Sequence, residues 1–170
     1  MNKIAVFGSA FNPPTLGHKS VIDSLTHFDR VLLLPSISHA WGKAMLDYQA
    51  RCELVDAFIE DLQPSNVERC RVEETIYQPN QSVTTFAVLN ELQRQCPEYD
   101  IAFVIGPDNL FNFAKFYKAD EILSRWSVMA CPETVKVRST DVRNAISDKK
   151  NINSLTTPKV CQMLAEKGYY

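Results

Sequence analysis

Three short apolar runs, Ile4-Ala5-Val6-Phe7, Val31-Leu32-Leu33-Leu34 and Ile101-Ala102-Phe103-Val104-Ile105, constrain this chain more than any other feature. Each has the length of a strand, and none alternates apolar with polar residues. Such strands must be covered on both faces, as in a parallel sheet. Residues 67–72 and Ser127–Ala130 are weaker candidates of the same kind. Helical patterns lie between them. Residues 18–26 carry Val21, Ile22 and Leu25. Tyr48–Asp61 carries Leu54 and Phe58, then Leu62, at four-residue spacing, with Val55 and Ile59 beside them. Residues 83–95 carry Phe86, Leu89 and Leu92. Near the end, Thr157 reads as an N-cap, Pro158 as the first helical residue and Gly168 as the residue after the last turn. The alternation predicts an α/β fold, an open and mainly parallel sheet with helices on both faces. The 170 residues read as one domain, residues 1–170, with a helical C-terminal part over about residues 139–170.

The composition narrows the function classes. Eighteen basic and twenty acidic residues give a net charge of −2, so bulk charge offers no footprint for nucleic acid or an anionic membrane. No apolar run approaches the ~18 residues that span a bilayer. The five cysteines (52, 70, 96, 131 and 161) are odd in number and form no CxxC pair. They fit buried or surface thiols in a reducing cytoplasm better than a disulfide or zinc framework. A cytoplasmic protein is expected, and assembly into a homo-oligomer stays open.

The chemistry concentrates after the first run, in Gly8-Ser9-Ala10-Phe11-Asn12-Pro13-Pro14-Thr15-Leu16-Gly17-His18. In an open parallel sheet, ligands bind beyond the carboxyl ends of the strands. A small-residue turn there can aim the amides of Gly8, Ser9, Ala10 and Phe11 at an anion, and a helix N-terminus adds about half a positive charge. The turn is neither GxxxxGK[ST] nor GxGxxG. Read alone, it is equally a Pro-rich chain reversal. His18 beside it fits a donor to phosphoryl oxygens, and Gly17 permits close backbone approach.

These residues resemble the [H/T]xGH nucleotidyltransferase superfamily, which implies a Rossmann-like fold and transfer of a nucleoside monophosphate with release of pyrophosphate. Val137-Arg138-Ser139-Thr140-Asp141-Val142-Arg143 resembles its ISSTxxR motif. Ile105-Gly106-Pro107-Asp108-Asn109-Leu110 resembles the GxDxL segment of the nicotinate mononucleotide adenylyltransferases. Ser82-Val83-Thr84-Thr85, Phe116-Tyr117 with Asp120-Glu121-Ile122-Leu123, Lys43, and the ending from Pro158 to Tyr170 extend the likeness over nearly the whole chain. Four features depart from the subfamily pattern. Thr15 stands where histidine is common, Phe116 where tryptophan is, and Val83 where tyrosine is. The stretch between Pro132 and Val137 is short.

The resemblance implies ATP and a pyridine mononucleotide as substrates, with a mononucleotide phosphate attacking the α-phosphorus of ATP. The nucleophile is already an oxyanion, so catalysis means positioning and charge neutralisation. His18 is assigned to the α-phosphate and bridging oxygen, and Arg143 to the β and γ phosphates. Thr15, Gly17, Gly106, Asp108, Ser139 and Thr140 complete the ATP side, with Ser139 and Thr140 expected to cap a helix running toward Ser147. Gly8, Ser9, Ala10, Phe11, Lys43, Thr84 and Phe116 fall to the mononucleotide. No metal-ligand cluster is legible, so Mg²⁺ is expected to arrive on the ATP phosphates. Glu73-Glu74, read as neighbours on a strand, would face apart. Adenylyl or cytidylyl transfer to another phosphomonoester such as phosphopantetheine, or nucleotide binding without turnover, are the alternatives.

Overall fold

The apolar runs form the middle of a parallel sheet in a computed structural model that describes residues 2–38 and 44–170. In chain order the elements are β1 (Lys3–Ser9), α1 (Leu16–Asp23), β2 (Arg30–Pro35), α2 (Tyr48–Asp61), β3 (Val67–Arg69), α3 (Val72–Ile76) and α4 (Thr85–Gln95). They continue with β4 (Asp100–Ile105), α5 (Pro107–Phe111), a 3₁₀ turn (Phe113–Lys115), α6 (Ala119–Arg125), β5 (Ser127–Ala130), α7 (Ser139–Ser147) and α8 (Pro158–Lys167). The strand order is β3-β2-β1-β4-β5, and every pairing is parallel.

The missing alternation has a direct cause. Ala5, Phe7, Val31, Leu33, Ala102 and Val104 join one buried cluster with residues of α1, α2, α7 and α8. Their neighbours Ile4, Val6, Leu32, Leu34, Ile101 and Phe103 join a second with α3, α4 and α6. Each face removes its own set of side chains from water, at about 1.5–3 kcal/mol for a large one. Val142, Val160 and Leu164 of the last two helices belong to the first cluster. The run of strands proceeds outward from β1 through β2 to β3, then resumes on the other side at β4. Ligands bind at such a reversal of strand order, beyond the carboxyl ends of β1 and β4.

Several local expectations are corrected. The first helix starts two residues earlier than its apolar pattern and stops at Asp23, because Thr15 caps it and Ser24 bonds its own hydroxyl to Val21 O. The third strand ends at Arg69, and Val72 opens a helix instead. Glu73 and Glu74 therefore diverge on a helix, not on a strand. The buried Glu73 takes the Ile37 amide, and Glu74 takes the Tyr48 hydroxyl. The fourth helix starts at Thr85, with Thr84 as its cap. Helices α5 and α6 had no periodicity long enough to read. Pro158 opens α8 and Gly168 follows it in the left-handed region at φ 61°, as expected, but Thr157, although it holds the N-cap position, makes no capping hydrogen bond with its side chain. Lys43 lies outside the described residues. No helix among the described residues is long and apolar enough to cross a membrane.

Candidate active site

The turn after β1 is shaped by its caps. Thr15 Oγ1 accepts the amides of Gly17 at 3.0 Å and His18 at 3.3 Å, and donates its own proton to Val137 O at 2.9 Å. The His18 ring closes the box from the other side: its Nδ1 accepts the Thr15 amide at 2.9 Å. A histidine thus fills the place that Glu or Gln takes in the usual capping box. Because Nδ1 is an acceptor, the proton of the neutral ring is on Nε2, which faces Ser9 Oγ at 3.1 Å. Ser9 Oγ also accepts the Phe11 amide at 3.3 Å. With two bonds accepted, its own proton remains available to donate, and Ser9 lines the cleft.

The His18 ring packs against Phe11 and Phe7, with centroids at 4.7 and 6.0 Å. Burial pulls its pKa from the ordinary 6.5 down to about 4, so it is a neutral donor at pH 7. Phe11 is fully buried and holds φ 49°, the left-handed region. For a bulky residue that costs about 1–2 kcal/mol, so the surrounding contacts must hold it there.

Burial also pushes the Glu73 carboxyl up, to about 7. The two groups act oppositely on stability. His18 binds its proton less readily folded than unfolded, so its contribution is full above about 6.5 and is lost as pH falls toward 4. Glu73 binds its proton more readily folded, so its contribution is full below 4.5 and is lost as pH rises through 7. Glu73→Gln should therefore lose stability relative to wild type as pH falls from 7 to 4.5, by at most about 1.4 kcal/mol per pH unit. Thermal melts of both proteins across that range check this, and parallel curves would refute it.

The second wall comes from the other end of the chain. Ser139 Oγ donates to Pro13 O at 2.7 Å, and Arg143 reaches Asn12 O at 2.7 Å through Nη1 and Thr140 Oγ1 at 3.1 Å through Nη2. The expected capping by Ser139 and Thr140 is corrected. The Asp141 carboxylate takes the Arg138 amide at the start of α7, which frees the two hydroxyls for the turn and for Arg143. Thr156 Oγ1 donates to Pro14 O at 2.8 Å, and the Leu16 amide to Leu155 O at 2.9 Å. Residues 12–16 are thus bonded one after another to the C-terminal third.

Between these walls lies a cleft of about 210 Å³, lined by Ser9, Ala10, Phe11, Thr15, Gly17, His18, Ser139, Thr140 and Arg143 among others. Gly17 and His18 share it with the Ser139–Arg143 turn. Gly106 and Asp108 sit at its edge. The Asp108 carboxylate pairs with the cleft-lining Arg138 at 2.9 Å, and a Cβ at Gly106 would approach Glu133, also in the lining, at 3.5 Å. Gly8, Thr84 and Phe116 are not in the lining. Gly8 faces the Phe103 ring, which Phe116 meets edge-on at 6.3 Å, while Thr84 Oγ1 caps α4 by accepting the Ala87 amide. The sequence reading passed over Asn12, Glu133 and Arg138. Asn12 and Arg138 stood inside the quoted stretches, whereas nothing local marked Glu133. No three His, Cys, Asp or Glu side chains gather as a metal site among the described residues.

The sequence pattern of the cytidylyltransferase-like family matches residues 6–150. The chain belongs to this family. A candidate nicotinate-nucleotide adenylyltransferase from Vibrio parahaemolyticus has a solved structure with TM-score 0.88 and 61% identity, covering 97% of this chain and 99% of that one. A candidate enzyme of the same name from Caldicellulosiruptor bescii is 25% identical over 201 residues, spanning 99% of this chain and 98% of its own. The nicotinic acid mononucleotide adenylyltransferase of Plasmodium falciparum, solved with NaAD, shares the fold at TM-score 0.79 and 13% identity, over 99% of this chain and 97% of that one. Within the family, the chain falls with the nicotinate-nucleotide adenylyltransferases. The near-complete overlap with the Vibrio chain means that the short stretch before Val137 comes with no large loss of length relative to that relative.

Proposed function

We propose that this protein transfers the adenylyl group of ATP to nicotinate mononucleotide, giving deamido-NAD and pyrophosphate. The observation that carries the reading is the single cleft at the strand reversal, with the imidazole of His18 and the guanidinium of Arg143 on facing walls. A phosphate oxygen of the mononucleotide forms the new bond to the α-phosphorus, the α–β bridging P–O bond breaks, and pyrophosphate leaves with that electron pair. No proton need be taken from the nucleophile. The cleft holds two anions in line and stabilises the charge that moves to the bridging oxygen.

His18 serves the α-phosphate and bridging oxygen, exchanging Ser9 Oγ for a phosphoryl oxygen. Thr15 fixes the donor tautomer, and the Ser9 hydroxyl adds a second donor. Arg143, Ser139 and Thr140 serve the β and γ phosphates at the start of α7. Gly106 and Asp108 serve the adenosine, with Asp108 exchanging Arg138 for the ribose. Gly8, Thr84 and Phe116 are assigned to the pyridine end, and Lys43 to its phosphate. Mg²⁺ carried by the triphosphate and water supplies further charge neutralisation. Glu133, the one carboxylate of the lining among the described residues, suits an ion that the substrate brings better than a resident one.

Pyrophosphate release with ATP and Mg²⁺ tests the reading against nicotinate mononucleotide, nicotinamide mononucleotide and phosphopantetheine. Preferred consumption of the nicotinate acceptor is expected. Silence with all three, or preference for phosphopantetheine, would overturn it. Arg143→Lys should lower kcat/KM for ATP by at least about tenfold, because an ammonium cannot reproduce the fork that spans two acceptors. Unchanged kcat/KM would remove Arg143 from the triphosphate site.

A further inference from the structure

Behind the turn lies a buried cation that the transfer itself does not use. Arg51, on α2, is only 1% exposed. Its guanidinium donates to Leu46 O at 2.7 Å, Ala10 O at 2.9 Å, Ser36 O at 2.7 Å and Ile37 O at 3.1 Å. Burying a guanidinium against carbonyls is expensive unless its donors are filled, and here one fork joins the segments after β1, after β2 and before α2. On the same side the Tyr170 hydroxyl donates to Asn12 Oδ1, which also accepts the Leu46 amide at 3.3 Å.

We infer that Arg51 and Tyr170 form a brace that positions His18 and Arg143 without touching substrate. The inference rests on the adenylyl-transfer reading of the cleft. The route to His18 runs through one peptide plane. Arg51 holds the Ala10 carbonyl of the 10–11 peptide, and the Phe11 amide on its far side bonds Ser9 Oγ, the partner of His18 Nε2. Phe11 keeps its left-handed backbone only while that plane is fixed. The route to Arg143 runs through Asn12: its side chain is held by Tyr170 and its carbonyl by Arg143 Nη1. Loss of the brace lets the turn relax, and the two catalytic groups lose their mutual placement.

Both residues are positioning residues, so stability and catalysis must be measured separately. Arg51→Lys keeps the charge but not the fork; Tyr170→Phe removes one hydroxyl. In the full chain, Tyr170→Phe is expected to lower kcat/KM for ATP by about 2–10-fold, the scale of one neutral hydrogen bond, with a melting temperature lowered by no more than about 2–4 °C. Arg51→Lys is expected to lose at least about tenfold in kcat/KM for ATP, in both binding and turnover, since His18 and Arg143 no longer meet the triphosphate in alignment. Tyr169→Phe is the control: its hydroxyl reaches the exposed Glu53 at 3.4 Å, away from the turn, and activity should not move. Inorganic pyrophosphate binding, measured by calorimetry, should weaken in both brace variants even if the wild type fails to turn over with any acceptor. That separates a failed brace from a failed function. Full activity and full pyrophosphate affinity in Tyr170→Phe would overturn the inference. So would a folded Arg51→Lys that differs from wild type only in melting temperature. Should Arg51→Lys not fold, Tyr170→Phe decides alone.

Discussion

His18→Ala is expected to lower turnover by roughly 10²–10³-fold, the scale of one lost transition-state donor. Turnover should suffer more than ATP affinity, because the ring's Nε2 proton gains most where charge builds on the bridging oxygen. The variant also leaves the Thr15 amide without its Nδ1 acceptor, so about 1 kcal/mol of cap stability goes with it. His18→Gln separates the two effects. A glutamine at the third helical position can return the capping bond but cannot set a ring donor against Ser9. Its melting temperature should recover while its turnover stays low. The pH dependence adds a check. With its pKa pushed down to about 4, His18 stays neutral between pH 7 and 5, so the pH dependence of turnover over that range should keep its form in His18→Gln. Turnover in His18→Ala within a factor of two of wild type would place the donor elsewhere.

The sheet was legible because its strands are short and apolar on both faces, a property that Ile4 to Phe7 carry without help from distant residues. The turn was legible for a related reason: its chemistry lies within eleven consecutive residues. Legibility failed where partners are far apart in sequence. Arg51 reads as an ordinary member of an amphipathic helix, yet it is buried because carbonyls 10, 36, 37 and 46 converge on it. Ser139 and Thr140 resembled caps since hydroxyls favour that place. Pro13 O and Arg143 claimed them instead, and Asp141 took the capping role. Glu73 could not be read as buried because the Ile37 amide it accepts lies 36 residues away in sequence. Helices α5 and α6 have 5 and 7 residues, too few for a period of 3.6 to declare itself.

Gly17→Ala is the second large effect, and helix propensity predicts its sign wrongly. Alanine in a helix is favoured over glycine by about 0.8–1.0 kcal/mol. Here a Cβ at residue 17 would lie 2.2 Å from Val137 O and 3.2 Å from both Val135 O and Thr15 Oγ1. The nearest obstacle is backbone, so it cannot swing aside as a long side chain would. Either α1 or the 135–137 strip must move, and the Thr15 Oγ1 to Val137 O bond joins the two. That strip leads directly into α7, so any displacement carries Ser139 and Arg143 away from His18. A misplacement near 1 Å can cost about 10²-fold, and kcat/KM should fall by at least that much. The melting temperature should drop as well, since the capping hydroxyl loses its place. Gly8→Ala meets only ordinary contacts, 3.7 Å to Phe103 and 3.8 Å to Leu34, and should keep the fold. If Gly17→Ala melts higher than wild type and keeps its kcat/KM, the two walls are not in the contact described, and the cleft between them loses its basis.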